Sequence, residues 1–257
     1  MECELGDILF IASFILDGKK YLEKITINSI KRDHARKTVS WRIDGEQLYL
    51  LSGFPNFEGV FGIVPPGRKY HIPNESGCLG SYGLLYAPAG FAFTSATKLD
   101  SFLAGKSHLK REGLDLLLTR IADWSLPSSP ICYSSRYCRA SFFCIPHPCR
   151  NFQGASSIFD FAHKYLTLGI GEPTIMTGCR HNSQARKFIR ELSNPARKTG
   201  FGGFAEDFLA FSTEYNRYPP FDGTQGDENG GTDYECPVRG GGIGIIYTTI
   251  EARRGID

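Results

Sequence analysis

The stretch ILFIASFILDGKKYLEKITINSI, Ile8 to Ile30, decides the fold class. Ile8 to Leu16 is an apolar run that ends in Asp17-Gly18, a dipeptide that accepts the positive φ angles of a type I′ turn. From Tyr21 to Ile30, Ile25 and Ile27 alternate with polar residues at the two-residue period of a half-buried strand. The reading is a β-hairpin. The same pattern recurs downstream, where Val39, Trp41 and Ile43 alternate with Ser40 and Arg42 before Asp44-Gly45 and Gln47 to Leu51. Two Asp-Gly hairpins in fifty residues argue an antiparallel meander. Shorter strands are expected at Val60 to Val64, Tyr82 to Tyr86 and Phe91 to Thr94.

Beyond residue 100 the period changes to that of helices. Ser107 is placed to cap a helix running to about Trp124, with Leu109, Leu114, Leu117, Leu118 and Ile121 at helical spacing. A second helix starts at Ser157, with Asp160 three residues on as in a capping box, and ends before Gly169. A third starts near Asn182 or Ser183 and is closed by Asn194-Pro195. Phe204 to Phe211 suits a fourth, short helix. Tyr218 to Gly242 is an aperiodic run of 25 residues rich in Pro, Gly, Asp and Asn, and Ile243 to Ile250 then reads as a strand. The expected class is α+β: residues 1–100 an antiparallel β-meander-rich region, residues 101–257 a helical region contributing one or two strands, the two packed as one globular unit.

Composition narrows the function classes. With 257 residues and 41% hydrophobic content the chain can bury a core without covalent staples. Twenty-nine Lys and Arg against 27 Asp and Glu leave a formal charge of +2, so any charged partner has to be met by a local patch. Ile8 to Leu16 is too short to cross a bilayer and is preceded by Glu2, Glu4 and Asp7, where a secretory signal needs positive charge. A cytoplasmic or nuclear protein with no membrane partner is expected, its eight cysteines reduced.

Five potential metal ligands fall within Cys132 to Cys149: Cys132, Cys138, Cys144, His147 and Cys149. Zinc prefers four thiolate or imidazole ligands, and aromatic and basic residues interleave with these as in a binder of single-stranded RNA. The order Cys-Cys-Cys-His resembles a CCCH zinc finger, which has a longer first spacing and three residues before its histidine. Geometry opposes the full set. If Tyr137 to Ile145 is a strand, Cys138 and Cys144 lie roughly 20 Å apart, whereas thiolates on one zinc need sulfurs under about 4 Å apart. The compact trio Cys144, His147 and Cys149 is what survives as a zinc candidate, and buried structural cysteines outweigh it.

Two thiols are candidate nucleophiles. Thr174 to Thr177 reads as a strand, residues 178–181 as a turn and Asn182 onward as a helix. Cys179, with His181 beside it, then sits near a helix amino terminus whose dipole favours thiolate. The arrangement loosely resembles the phosphate loop of cysteine phosphatases, which sets five residues between Cys and Arg; here six separate Cys179 from Arg186. Cys78 lies in a Gly-flanked loop with His71 seven residues upstream, and a thiol nucleophile needs such a base brought close in space. The bland alternatives are an ordinary strand-to-helix turn and a loop whose glycines serve the turn.

The remaining pattern is basic. Lys31, Arg32, Arg36 and Lys37 form a charged connection between strands, able to contact phosphates. Arg136, Arg139 and Arg150 stand among the aromatics of 131–152. The leading expectation is an interaction protein that meets nucleic acid or a protein partner through these two segments. A cysteine-dependent hydrolase or phosphatase-like enzyme using Cys179 or Cys78 is the alternative, and a structural or assembly protein marked by a large exposed apolar patch is the third.

Overall fold

The computed structural model describes residues 3–33, 41–60, 64, 67–86, 89–104, 114–116, 131–132, 150–176, 183–192, 214–215, 217–218 and 243–253. The first elements are β1 (Ile8–Leu16), β2 (Lys19–Arg32), β3 (Trp41–Ile43), α1 (Gly45–Gly53), β4 (Phe57–Glu58) and β5 (Lys69–Tyr70). Next come β6 (Gly80–Tyr86), β7 (Gly90–Ser95), α2 (Ala96–Ala104), β8 (Leu114–Leu116), β9 (Ile131–Cys132) and β10 (Arg150–Asn151). The last are β11 (Gly154–Ala155), α3 (Ile158–Leu166), β12 (Glu172–Met176), α4 (Ser183–Leu192) and β13 (Gly244–Ala252). The α+β class holds, with an antiparallel and mixed sheet among interspersed helices.

The first hairpin forms as its sequence dictates. Asp17 (φ 49°) and Gly18 (φ 76°) take the two left-handed positions of the turn, and β1 pairs antiparallel with β2. A bulge where Phe14/Ile15 meets Leu22/Lys20 breaks the alternation. It lets Lys20 and Glu23, three apart in a strand, reach one another.

Asp44-Gly45 does something else, and the expectation of a second hairpin is corrected. Asp44 is extended (φ −73°, ψ 128°) and its carboxylate accepts the N–H groups of Glu46 and Gln47 at 2.8 and 2.9 Å, capping α1. Gln47, Leu48, Leu50 and Leu51 are the buried side of that helix. Trp41 to Ile43 pairs instead with Leu114 to Leu116. That strand also overturns the middle of the helix expected from Ser107 to Trp124; its other residues lie outside the described ones. Helix α2 adds to the expected elements, and Ser95, whose hydroxyl accepts the Lys98 N–H at 3.2 Å, is an ordinary start signal for it. Val60 stands outside any strand; the short ladder nearby joins Phe57–Glu58 to Lys69–Tyr70. The expected fourth helix, 204–211, and the proposed strand 137–145 lie outside the described residues.

Among the described residues, seven strands make the main sheet, in the order β11-β7-β6-β2-β1-β13 with β12 also on β2. Strands from both halves of the chain therefore share one sheet. The 14-residue β2 is its axis: β1 occupies one edge, while β12 runs antiparallel to Leu22–Ile25 and β6 parallel to Ile27–Arg32 along the other. β13, from the far end of the chain, lies parallel to β1.

Alternation along β1 and β2 divides the apolar residues between two cores. Leu9, Ile11, Ile25 and Ile27 share one face with Tyr82 and Leu84, against Leu48 and Leu51 of α1, Leu99 of α2 and Phe188, Ile189 and Leu192 of α4. Ala12, Leu22 and Phe93 face the opposite way, joined by Phe10 and Phe14, and meet Phe161 and Tyr165 of α3. The result is helix layers on both sides of a mixed sheet.

Candidate functional site

The residues singled out from sequence are dispersed. Arg36, Lys37, Arg136, Arg139, Cys144, His147, Cys149, Cys179 and His181 lie outside the described residues. Lys31 and Arg32 belong to the last turn of pleat in β2, paired with Leu84 and Leu85, rather than to a connecting loop; Lys31 is half-buried and Arg32 exposed. Arg150 opens β10 directly across from Cys132, so the two ends of the cysteine-rich segment meet in a short ladder. Among the described residues no group of three His, Cys, Asp or Glu side chains could hold a metal ion.

Cys78 and His71 each bond to another group. The Cys78 thiol is 2% exposed and donates to the Ser76 carbonyl at 3.5 Å, a contact within its own loop. Burial, with the Glu172 carboxylate adding to it, pushes that thiol up to about 12, the opposite of what a nucleophile at neutral pH needs. His71 is on the surface, its Nδ1 2.8 Å from Asn56 Oδ1.

Among the described residues, two buried carboxylates that composition did not single out gather polar partners around them. Glu23 projects from β2 with no exposed surface. Its Oε1 accepts from Thr174 Oγ1 of β12 (2.7 Å) and from the Tyr215 hydroxyl (3.1 Å); its Oε2 accepts from Ser13 Oγ of β1 (3.0 Å) and Lys20 Nζ (3.2 Å). Four donors saturate the carboxylate's acceptor sites. The Lys20 ammonium also donates to the Tyr215 carbonyl at 2.6 Å and lies 3.8 Å from the centroid of that ring. Burial lowers the Lys20 pKa and the Glu23 charge opposes the change. Burial raises the Tyr215 hydroxyl well above its ordinary range, with Glu23 second. Every group here is committed to another in the same knot, which suits a structural tie between β1, β2, β12 and the 214–215 segment.

Glu172, the first residue of β12, is the other carboxylate and is 3% exposed. Its Oε2 accepts the Ser76 N–H at 3.0 Å and also the Ser76 hydroxyl. Burial raises this carboxyl from 4.5 to about 7, against the opposing pull of the two Ser76 bonds and of the Glu75 backbone. A carboxyl titrating near neutrality can hold or release a proton at physiological pH. It is enclosed, however, by Ser76 and the 73–79 loop.

The outer side of α3 is of another kind. Ser157 caps the helix, its hydroxyl accepting the Asp160 N–H at 3.1 Å, while the Asp160 carboxylate takes the Ser156 N–H and pairs with Lys164 at 2.9 Å. With Phe161 and Tyr165 turned to the sheet, Phe159 (83% exposed) and Leu166 (51%) face away from it, while Ile158 (49%), on the same stripe as Tyr165, is exposed at the start of the helix. Ile246 of β13 is also exposed, and its carbonyl is 3.4 Å from the Tyr165 hydroxyl. Four of the seven large apolar side chains that are exposed among the described residues therefore lie on or beside this helix. Single exposed apolar residues are ordinary; a cluster is not.

Sequence signals for these sites existed but were weak. Lys20 and Glu23 are two of several charged residues in β2, and Glu172 opens β12. Among the described residues, no helix is long and apolar enough to cross a membrane. Comparison of the chain with protein-family models, with curated proteins and with solved structures finds no match.

Proposed function

We propose that the chain is an interaction protein whose contact surface is the outer ridge of α3, and that the ridge is taken by a second copy of the chain. The observation that carries this is Phe159, 83% exposed on a well-capped helix with Leu166 two turns along the same side. In an antiparallel crossing about Ala162 and His163, Phe159 of each copy meets Leu166 of the other. An isologous contact of that kind needs no other partner. A stable dimer buries about 1,600 Å² in total, more than one nine-residue helix presents, so the contact has to extend beyond the ridge, and the exposed Ile158 and Ile246 at its margins are available to it.

The nucleic-acid form of the interaction rests on Lys31, Arg32, Arg36, Lys37, Arg136, Arg139 and Arg150, and is separated from the protein form by experiment. The buried thiol and raised pKa of Cys78 weigh against its catalytic use. Sedimentation velocity on the purified chain tests the proposal. A dimer at tens of micromolar is expected, with Phe159→Glu weakening association at least tenfold, since burial of one Phe is worth about 2 kcal/mol, and leaving the thermal midpoint unchanged only under dilute conditions where both are monomeric. A wild-type monomer at about 100 µM would falsify the reading, and salt-sensitive capture of single-stranded RNA by that monomer would put the nucleic-acid form in its place.

A further inference from the structure

The second edge of β2 is forked. β12 starts at Glu172 beside Ile25 and runs one way, β6 starts at Gly80 beside Ile27 and runs the other, and the 73–79 loop lies over the point where they part. Thr26, at the fork, reaches the last residue of that loop: its hydroxyl is 3.2 Å from the Leu79 carbonyl, which also accepts the Ile27 N–H at 2.7 Å. Asn74 ties the loop to itself and to α1, its Oδ1 accepting the Leu79 N–H and its amide donating to the Ser52 carbonyl, both at 3.0 Å. Across the gap the loop is held by Ser76, which gives both its N–H and its hydroxyl to one oxygen of Glu172.

We propose that Glu172 and Ser76 form a pH-sensitive latch: with Glu172 protonated the 73–79 loop stays closed over the fork, and ionisation favours its lifting, which hydrates the carboxylate and uncovers Cys78. The driving force is the cost of holding a charge away from water at a site where hydrogen bonds from the loop offset only part of that cost. The ionisable groups facing this carboxyl are Glu75 and Cys78 from the loop. The Glu75 side chain adds like charge and so favours opening once Glu172 ionises. Lys24 of β2 acts on Cys78, in the direction that lowers its pKa. Glu23, farther along β2, is saturated by its own donors. Glu172 titrates near neutrality, so the latch would work within the physiological range.

Hydrogen exchange of the intact chain, corrected for the intrinsic pH dependence of amide exchange, tests this at the peptide covering 73–79. The protection of that peptide is expected to fall about tenfold between about pH 6 and pH 8 and then level off. β1, whose exchange reports global unfolding, is the reference: its protection stays well above that of the 73–79 peptide at every pH, so the loop opens without the sheet. Glu172→Gln keeps the acceptor oxygen without the charge and abolishes the fall. Ser76→Ala removes a bond that favours the ionised form, so the fall moves to higher pH; this second variant decides the matter should the first not fold. Protection that is independent of pH in the wild-type protein, or an equal fall in Glu172→Gln, overturns the proposal.

Discussion

Tyr215 donates its hydroxyl to Glu23 at 3.1 Å across 192 positions of sequence, and the backbone of the same tyrosine receives Lys20 at 2.6 Å. One residue from late in the chain thus closes both ends of a buried ion pair in the first hairpin. Removing the carboxylate strands the partners: Glu23→Ala leaves a buried ammonium and the hydroxyls of Ser13, Thr174 and Tyr215 without their acceptor. A loss of about 3–5 kcal/mol in urea unfolding is expected. Tyr215→Phe removes one donor of four and keeps the ring under Lys20, so it costs about 1 kcal/mol. Equal losses in the two variants would contradict a network centred on Glu23.

Asp44 tests the helix that the sequence disguised as a hairpin. Its carboxylate satisfies two amide groups in the first turn of α1, so Asp44→Ala costs about 1 kcal/mol while Asp44→Asn, which keeps an acceptor, costs much less. A chain with a turn at this position would show no such preference. Chemical denaturation midpoints of the two variants make the comparison.

The two Asp-Gly dipeptides explain how far the sequence could be read. Both offer a residue that tolerates left-handed backbone before a glycine, and local chemistry stops there. The next residues decide between turn and cap: after Gly18 the apolar residues alternate and pair with β1, whereas after Gly45 residues 47, 48, 50 and 51 bury together, as one side of a helix does. Elements with local signals at their ends, such as the capped α3 and the turn of the first hairpin, were legible. The fork on β2 was not, because nothing in a 14-residue strand announces that its edge is divided between partners roughly 55 and 150 residues away. Glu23 and Glu172 were missed for the same reason: their donors come from other strands and loops, and only the folded chain assembles them.

Gly171 measures how closely β12 approaches that fork. It has φ 103°, and a Cβ there would lie 2.7 Å from the Ile25 carbonyl oxygen. Backbone cannot move aside as a side-chain tip can, so Gly171→Ala combines strain with a clash and is expected to cost on the order of 2–3 kcal/mol. A thermal midpoint within about a degree of wild type would show that β12 can shift along β2 without loss.

Glu172 gives the global stability a pH dependence of fixed sign. Its carboxyl is raised by burial from 4.5 to about 7, so below pH 4.5 the folded and unfolded chains both hold the proton and the site costs nothing. Between those values the folded chain keeps a proton that the unfolded chain has released. Unfolding therefore releases a proton, and stability falls as pH rises, levelling off above the folded value. The whole span corresponds to about 3 kcal/mol. Glu172→Gln has no proton to lose and retains an oxygen for the Ser76 donors, so the difference between variant and wild type isolates this group from every other titration in the chain. Urea unfolding should find Glu172→Gln gaining on wild type steadily from about pH 5 to pH 7 and holding its lead at about pH 8. If the difference stays flat across that range, Glu172 is reached by enough water in the folded protein to titrate as it does in the unfolded one, and burial at the fork does not govern its charge.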